Sequence, residues 1–210
     1  FSSGKSFKSS NLASLVNYEK DKFTLKAFDN LKGYIVEIEK NKNKPISVLL
    51  NNKKITTSKL IKEFPCTPIH NNTFSFADAS PDFRRKLLDR SIFISEKSFS
   101  ECWFSYYRSL KQRNSILKNN RISHIYTWNT KLSDEGIKLN NMRINFFKKT
   151  KNEFYYLIDL IQPSSVFDFF DLIEIDFFQG WDETKNLNEL LQGNIDIDLK
   201  RKSTTQGPHK

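Results

Sequence analysis

Residues 98–118 read SFSECWFSYYRSLKQRNSILK. Phe99, Trp103, Tyr106, Leu110 and Leu117 step by four, three, four and seven, one narrow apolar stripe at 100° per residue, which predicts an amphipathic helix over about Ser98–Lys118. Arg108, Lys111 and Lys118 project from other sides of that helix, whereas Arg113 lies near the stripe and is expected in packing or an ion pair. Downstream, past Asn119-Asn120, Ile125, Trp128, Leu132, Leu139, Met142 and Phe146 repeat the pattern. Glu135 occupies the one missing stripe position, and Gly136 weakens the helix there by about 1 kcal/mol. Two long amphipathic helices joined by a short polar turn predict an antiparallel helical hairpin. Upstream, Ser80-Pro81 supplies an N-cap and a first helical residue for PDFRRKLLDR.

The first part of the chain has a different period. Phe23, Leu25 and Ala27 alternate with polar residues, and Tyr34, Val36 and Ile38 alternate with Ile35 and glutamates. Turns at Asn41–Pro45 and Asn51-Asn52 bracket a further strand, ISVLL. Ser58 is expected to cap a short helix, SKLIKEF, which Pro65 stops. Beyond Gln162-Pro163-Ser164-Ser165, which should end the second long helix, LIEIDFF places Ile173, Ile175 and Phe177 on one face and predicts a half-buried strand. Gly180 turns the chain, and KRKSTTQGPHK reads as a loop at the end. The order is strands, then helices, then a strand, as if a helical block were inserted into a β-containing domain.

The chain has 210 residues, 38% of them hydrophobic and 19 of them Phe, enough to fill a core. Its single Met is Met142, so it is expected to be an internal piece of a longer protein. No apolar run approaches the roughly 18 residues of a membrane span, and the N-terminus lacks an apolar signal core. Cys66 and Cys102 stand alone and far apart, so neither a disulfide framework nor a zinc knuckle is indicated, and a reducing cytoplasm fits. The net charge of +10 is uneven. Arg84–His124 holds ten Lys/Arg against three Asp/Glu, Val166–Asp198 holds one against nine, and the last twelve residues carry +4. The basic block suits a polyanion, although solvated surface gives the same count.

Catalytic and metal chemistry find little support. His70, His124 and His209 sit in separate contexts, no Ser or Cys lies in an elbow motif, and no cluster has ligand spacing. FYYLID, ending at Asp159, and LIEID, ending at Asp176, imitate a magnesium-binding strand, but neither Asp is followed by a second acid, and core readings suit both. Gly4-Lys5-Ser6 matches the last triplet of a phosphate-binding loop, yet the first glycine of that motif would lie before Phe1, and a polar run follows instead of an apolar helix. Lys5, Lys8, Arg84, Arg85, Lys111 and Lys118 are the candidate phosphate contacts, chosen by charge, and Arg121 is a further cation of the same kind. Trp103, Tyr106 and Tyr107 read as core, because Trp103 and Tyr106 lie on the apolar stripe, with base stacking as the other reading.

Three stretches together resemble the bacterial RecF recombination mediators: SSGKSFKSS; SPDFRRKLLDRSIF with SYYRSLKQRNSILK; and FQGWDETKNLNELL with QGPHK. The middle pair is the most specific, and order and spacing hold over nearly the whole chain. The resemblance implies an α/β fold, a partial ABC-type P-loop ATPase head with an inserted α-helical arm. Residues 1–79 would belong to the β-rich lobe of the head, 80–165 to the arm, and 166–210 to a strand and loop returning toward the head. It implies ATP and Mg²⁺ as cofactors, weak ATPase activity and an ATP-dependent homodimer. DNA at single-strand gaps and junctions would be the ligand and RecO and RecR the partners, in replication-fork repair and the SOS response.

In such chains the true P-loop lies upstream, so Gly4-Lys5-Ser6 is a decoy, and GPHK precedes the signature motif and the magnesium strand. No residue here inherits a catalytic or nucleotide-binding role, and this segment is not expected to hydrolyse ATP alone. His70-Asn71-Asn72 stands where the resemblance calls for a Pro-acidic pair, which puts that acid's role in doubt, and Ser80 replaces a Gly. The rival class is a non-enzymatic helical hairpin that binds a protein partner.

Overall fold

A computed structural model of the chain describes residues 4, 6, 9, 11–66, 79–120, 122–161 and 172–210. They form two compact units, which divide at Phe74/Ser75.

In the first unit β1 (Lys22–Asp29), β2 (Tyr34–Asn41), β3 (Ser47–Leu50) and β4 (Lys53–Ile55) make an antiparallel meander in sequence order. Alternation chose these strands. Val36, Ile38 and Val48 point to one face and are buried with Leu60 of α1 (Thr57–Glu63), while Ile46, Leu50, Ile55 and Phe64 pack around them. Charge pairs fix the register on the other side: Lys26 faces Glu37 at 2.8 Å, and Lys22 reaches Glu39 at 2.6 Å. Asn51 and Asn52 adopt φ of 48° and 62°, which suits a two-residue hairpin turn of the primed type. That turn generates β4, a strand that KKI alone does not announce, since two of its three residues are lysines. The cap of α1 lies two residues earlier than the sequence suggests: Thr56, not Ser58, accepts from the Lys59 amide at 3.2 Å.

The second unit is helical. Ser80 caps α2 (Pro81–Ser95) by accepting from the Phe83 amide. Then α3 (Phe99–Lys118) and α4 (Ile125–Ile161) run antiparallel, as the pairs Ser109–Glu135 and Arg113–Asn129 require. Phe99, Tyr106, Leu110, Leu132 and Leu139 are buried between the elements with Ile92, Trp181, Leu187 and Leu191. Each such side chain contributes roughly 1.5–3 kcal/mol by leaving water. Glu135 interrupts the stripe because Ser105 and Ser109 both donate to it, each at 2.6 Å. Gly136 is tolerated for a packing reason: a Cβ there would meet Leu187, Tyr106 and Pro208 at 3.1–3.4 Å.

The segment after α4 departs from the expected strand. Residues 173–179 run extended but pair with no strand among the described residues. They lie antiparallel along α4 instead: Tyr155 donates to the Ile173 carbonyl, Lys151 meets Asp176, Phe147 meets Phe177, and Asn140 donates to Gln179. Alternation correctly marks the half-buried side, with Ile173, Ile175 and Phe177 turned inward, but the partner is a helix. Two short helices follow, α5 (Leu187–Gly193) and α6 (Ile195–Arg201). The tail is not the loose loop the sequence suggests. Thr204, Gly207 and Pro208 are buried, and the Gly207 amide donates to the Gly180 carbonyl at 3.1 Å. Among the described residues, no helix is long and apolar enough to cross a membrane, and no group of three His, Cys, Asp or Glu is placed to hold a metal ion.

Candidate nucleic-acid interface

Two buried arginines fix α3 and α4, and so decide which cations remain for a ligand. Arg113 is fully buried, with Nη1 donating to Asp198 at 2.7 Å and to Thr204 Oγ1 at 2.8 Å. Its Nε donates to Asn129 at 2.7 Å and its Nη2 to the Leu191 carbonyl at 3.1 Å. Burial pulls its pKa down while Asp198 pulls it back up. Asp198 also accepts from the Thr205 amide and hydroxyl. Arg143 ties α4 to α2 by donating to both Asp89 oxygens, at 2.7 and 2.8 Å, and to the Pro208 carbonyl at 2.6 Å. Trp103 donates its indole N–H to the same Asp89 at 3.0 Å. Both arginines are therefore spent inside the fold, as the position of Arg113 beside the apolar stripe suggests.

The tail is clamped by a further pair. His209 faces Tyr106 through Nδ1 at 2.7 Å and the Thr204 carbonyl through Nε2 at 3.1 Å. A carbonyl only accepts, so Nε2 carries the proton and Tyr106 donates to Nδ1. Burial pushes the His209 pKa down to about 4 and raises that of Tyr106, so both stay neutral.

With these groups internal, one face of α3 stays open. Lys111 and Lys118 are exposed and lie one above the other, seven residues apart. They line a shallow concavity of about 590 Å³ with Tyr107, Leu110, Asn114, Ser115 and Asn119. Arg108, also exposed, borders the same face. Lysine ammonium groups, amides and a hydroxyl are donors that suit phosphate oxygens.

The other candidates are placed differently. Arg84 is exposed on the first turn of α2, its Nε donating to the Ala79 carbonyl at 3.1 Å. Arg85 is half-buried, donates to the Lys210 carbonyl and lies 3.9 Å from Asp82. Lys5, Lys8, Arg121 and His70-Asn71-Asn72 lie outside the described residues. Of the aromatics, Tyr106 is buried and Trp103 and Tyr107 are half-buried, ring to ring at 4.2 Å. Among the aromatics of α3, Phe104 is the exposed one, and it carries no sequence signal because it lies off the apolar stripe.

No protein-family model matches the chain. Among solved structures, it superposes on the recombination mediator RecF of the RecFOR pathway. With the RecF–ATP structure the TM-score is 0.81, over 100% of this chain and 60% of that one at 23% identity. With RecF–ATPrS it is 0.71, over 99% and 59%, again at 23% identity. The fold is thus that of part of RecF, a β-sheet unit together with a helical one. Among curated proteins, the chain is 30% identical to the DNA replication and repair protein RecF of Francisella tularensis subsp. novicida (strain U112) over 212 aligned positions. It is 29% identical to that of subsp. holarctica (strain LVS). All of this chain is covered in both cases, and the chain spans 59% of those relatives' length. Over its whole length the chain is thus similar to part of RecF.

Proposed function

We propose that the chain is part of an ATP-dependent, DNA-binding recombination and repair mediator. It acts at single-strand gaps and single-strand/duplex junctions, with RecO and RecR, during replication-fork repair and SOS induction in the cytoplasm. The observation that carries this reading is the exposed Lys111–Lys118 face of α3, left open while Arg113 and Arg143 are consumed internally. Lys5, Lys8, Arg84 and Arg85 complete the proposed phosphate contacts, Arg85 through the part of its guanidinium not given to Lys210. In this reading residues 1–79 belong to the head, 80–165 to the arm, and 166–210 carry the chain back toward the head. ATP with Mg²⁺ would be gripped by motifs outside this segment, close a homodimer on DNA, and release it on slow hydrolysis.

The test is binding of gapped DNA by the full-length protein, with and without ATP–Mg²⁺. Charge reversal at Arg84, Arg85 and Lys111 should weaken binding of every DNA sequence alike, since phosphate contacts read none.

A second reading has its own observation. Tyr156, Leu157, Leu160 and Ile161 at the end of α4 are each more than half exposed, an apolar face that suits a protein partner. Partner capture that ignores salt, with no affinity for DNA, would favour that reading.

A further inference from the structure

Phe104 is 59% exposed, although it sits on α3, a helix of the second unit's core. Single exposed apolar residues are ordinary. What sets this one apart is its alignment. Phe104 precedes Lys111 by seven residues, and Lys111 precedes Lys118 by seven. Seven residues are two turns less about 20°, so the three side chains form one column with a rise of about 10 Å per step. The ring is backed by packed neighbours. Trp103 meets Phe104 edge-on, with centroids 5.3 Å apart and planes at 90°. Trp103 is itself pinned by Asp89 and packed on Tyr107.

In duplex geometry 10 Å of axial rise corresponds to about three nucleotides of one strand at 3.4 Å each, and to fewer in an unpaired strand drawn out of that stack. The column therefore offers two cations spaced for phosphates and, one step further, an aromatic face. In a duplex both faces of each internal base are covered by neighbours, so an aromatic ring finds no free face there. An unpaired base has one, and stacking on a protein ring needs no particular base identity.

Resting on the proposed DNA-binding reading, we infer that Phe104 is a base-stacking residue of the α3 face. It takes an unpaired base of single-stranded DNA, while Lys111 and Lys118 hold phosphates of the same strand. The stacking step supplies preference for single strands, which the lysines alone cannot.

The test uses the full-length protein and fluorescence anisotropy with an oligothymidylate and a blunt duplex of equal length. Phe104→Ala should weaken single-strand binding about 5- to 150-fold and leave duplex binding within about twofold. Phe104→Leu keeps an apolar side chain without a π face and should lose single-strand affinity in the same sense, which separates stacking from a packing defect. Phe104→Trp should bind at least as tightly as the parent. Equal losses on both DNA forms, no loss on either, or a Leu variant that binds like the parent would overturn the inference while the basic face stands. Lys111→Gln/Lys118→Gln, with Phe104 intact, tests the underlying reading separately. If that variant keeps the parent's affinity and salt dependence, or if the parent binds neither DNA, the basic-face reading fails and the stacking proposal falls with it.

Discussion

Removing the Asp198 carboxylate should open the junction between α3 and the tail. Asp198 and Arg113 have no solvent-exposed side-chain surface, and their contact is 2.7 Å. Asp198→Ala leaves a buried guanidinium with Asn129, Thr204 and Leu191 as acceptors but no counter-charge, and also strips the Thr205 amide and hydroxyl of their acceptor. Breaking a buried pair by deleting one partner costs about 3–5 kcal/mol. That is a large share of the 5–15 kcal/mol that typically holds a domain together. A protein of more than one unit need not unfold in a single step, so a local observable is preferable to a global midpoint. Amide hydrogen exchange in α3 and residues 203–207 of the full-length protein supplies it. A cost of 3–5 kcal/mol predicts protection factors lowered roughly 10²- to 10⁴-fold. Arg113→Met/Asp198→Leu, which removes both charges, should lose much less than the sum of the single variants. A fall of under tenfold in Asp198→Ala, or simple additivity in the double variant, would refute the claim that this pair closes the junction.

Two further outcomes concern the tail. His209 is neutral in the fold, with a pKa pushed down to about 4 against about 6.5 when unfolded, so the unfolded chain binds the extra proton between those values. Stability should therefore fall as pH drops from about 6.5 toward 4, by up to about 3 kcal/mol. Lys210 and Arg85 add to the depression, and Asp198 and the Thr204 carbonyl oppose it. Hydrogen-exchange protection at residues 203–207 of the parent and His209→Gln across that range should converge at low pH, and parallel curves would exclude the mechanism. Gly180 has φ of +95°, and a Cβ there would stand 2.2 Å from the Gly207 carbonyl oxygen. Gly180→Ala should cost at least about 2 kcal/mol through backbone strain and overpacking, read as increased exchange at Gly207 and its neighbours.

The local periods carried most of the fold. The stripe from Phe99 to Leu117 located α3 within a residue, and Arg113 beside it signalled an internal ion pair. What that position could not reveal was the partner, because Asp198 lies 85 residues away and its register depends on two helices that NLNELLQG and IDIDLKR announce only weakly. Residues 173–179 show the limit of alternation: it reports that every second side chain is covered, not whether a strand or a helix covers it. KRKSTTQGPHK looks like a polar loop because its burial comes from backbone closure and paired groups rather than apolar side chains. For the candidate site, charge counting picked Lys111 and Lys118, which the fold brings to one face, and Arg85, which it largely engages elsewhere. Phe104 was invisible because an aromatic off the stripe has no signal until the faces of the helix are known.

The salt dependence of DNA binding bears most directly on the reading of α3. Full-length protein would be titrated with fluorescent gapped DNA at several salt concentrations, with and without ATP–Mg²⁺, beside Lys111→Gln/Lys118→Gln. Each phosphate contact contributes about 0.7 on a single strand and about 0.9 on a duplex to the slope of log affinity against log salt. The parent should bind in an ATP-dependent, salt-sensitive manner, and the double variant should lose about 1.4 to 1.8 from that slope. An unchanged slope, or no binding in either nucleotide condition, would contradict a nucleic-acid role for this face and leave the protein-partner reading in its place.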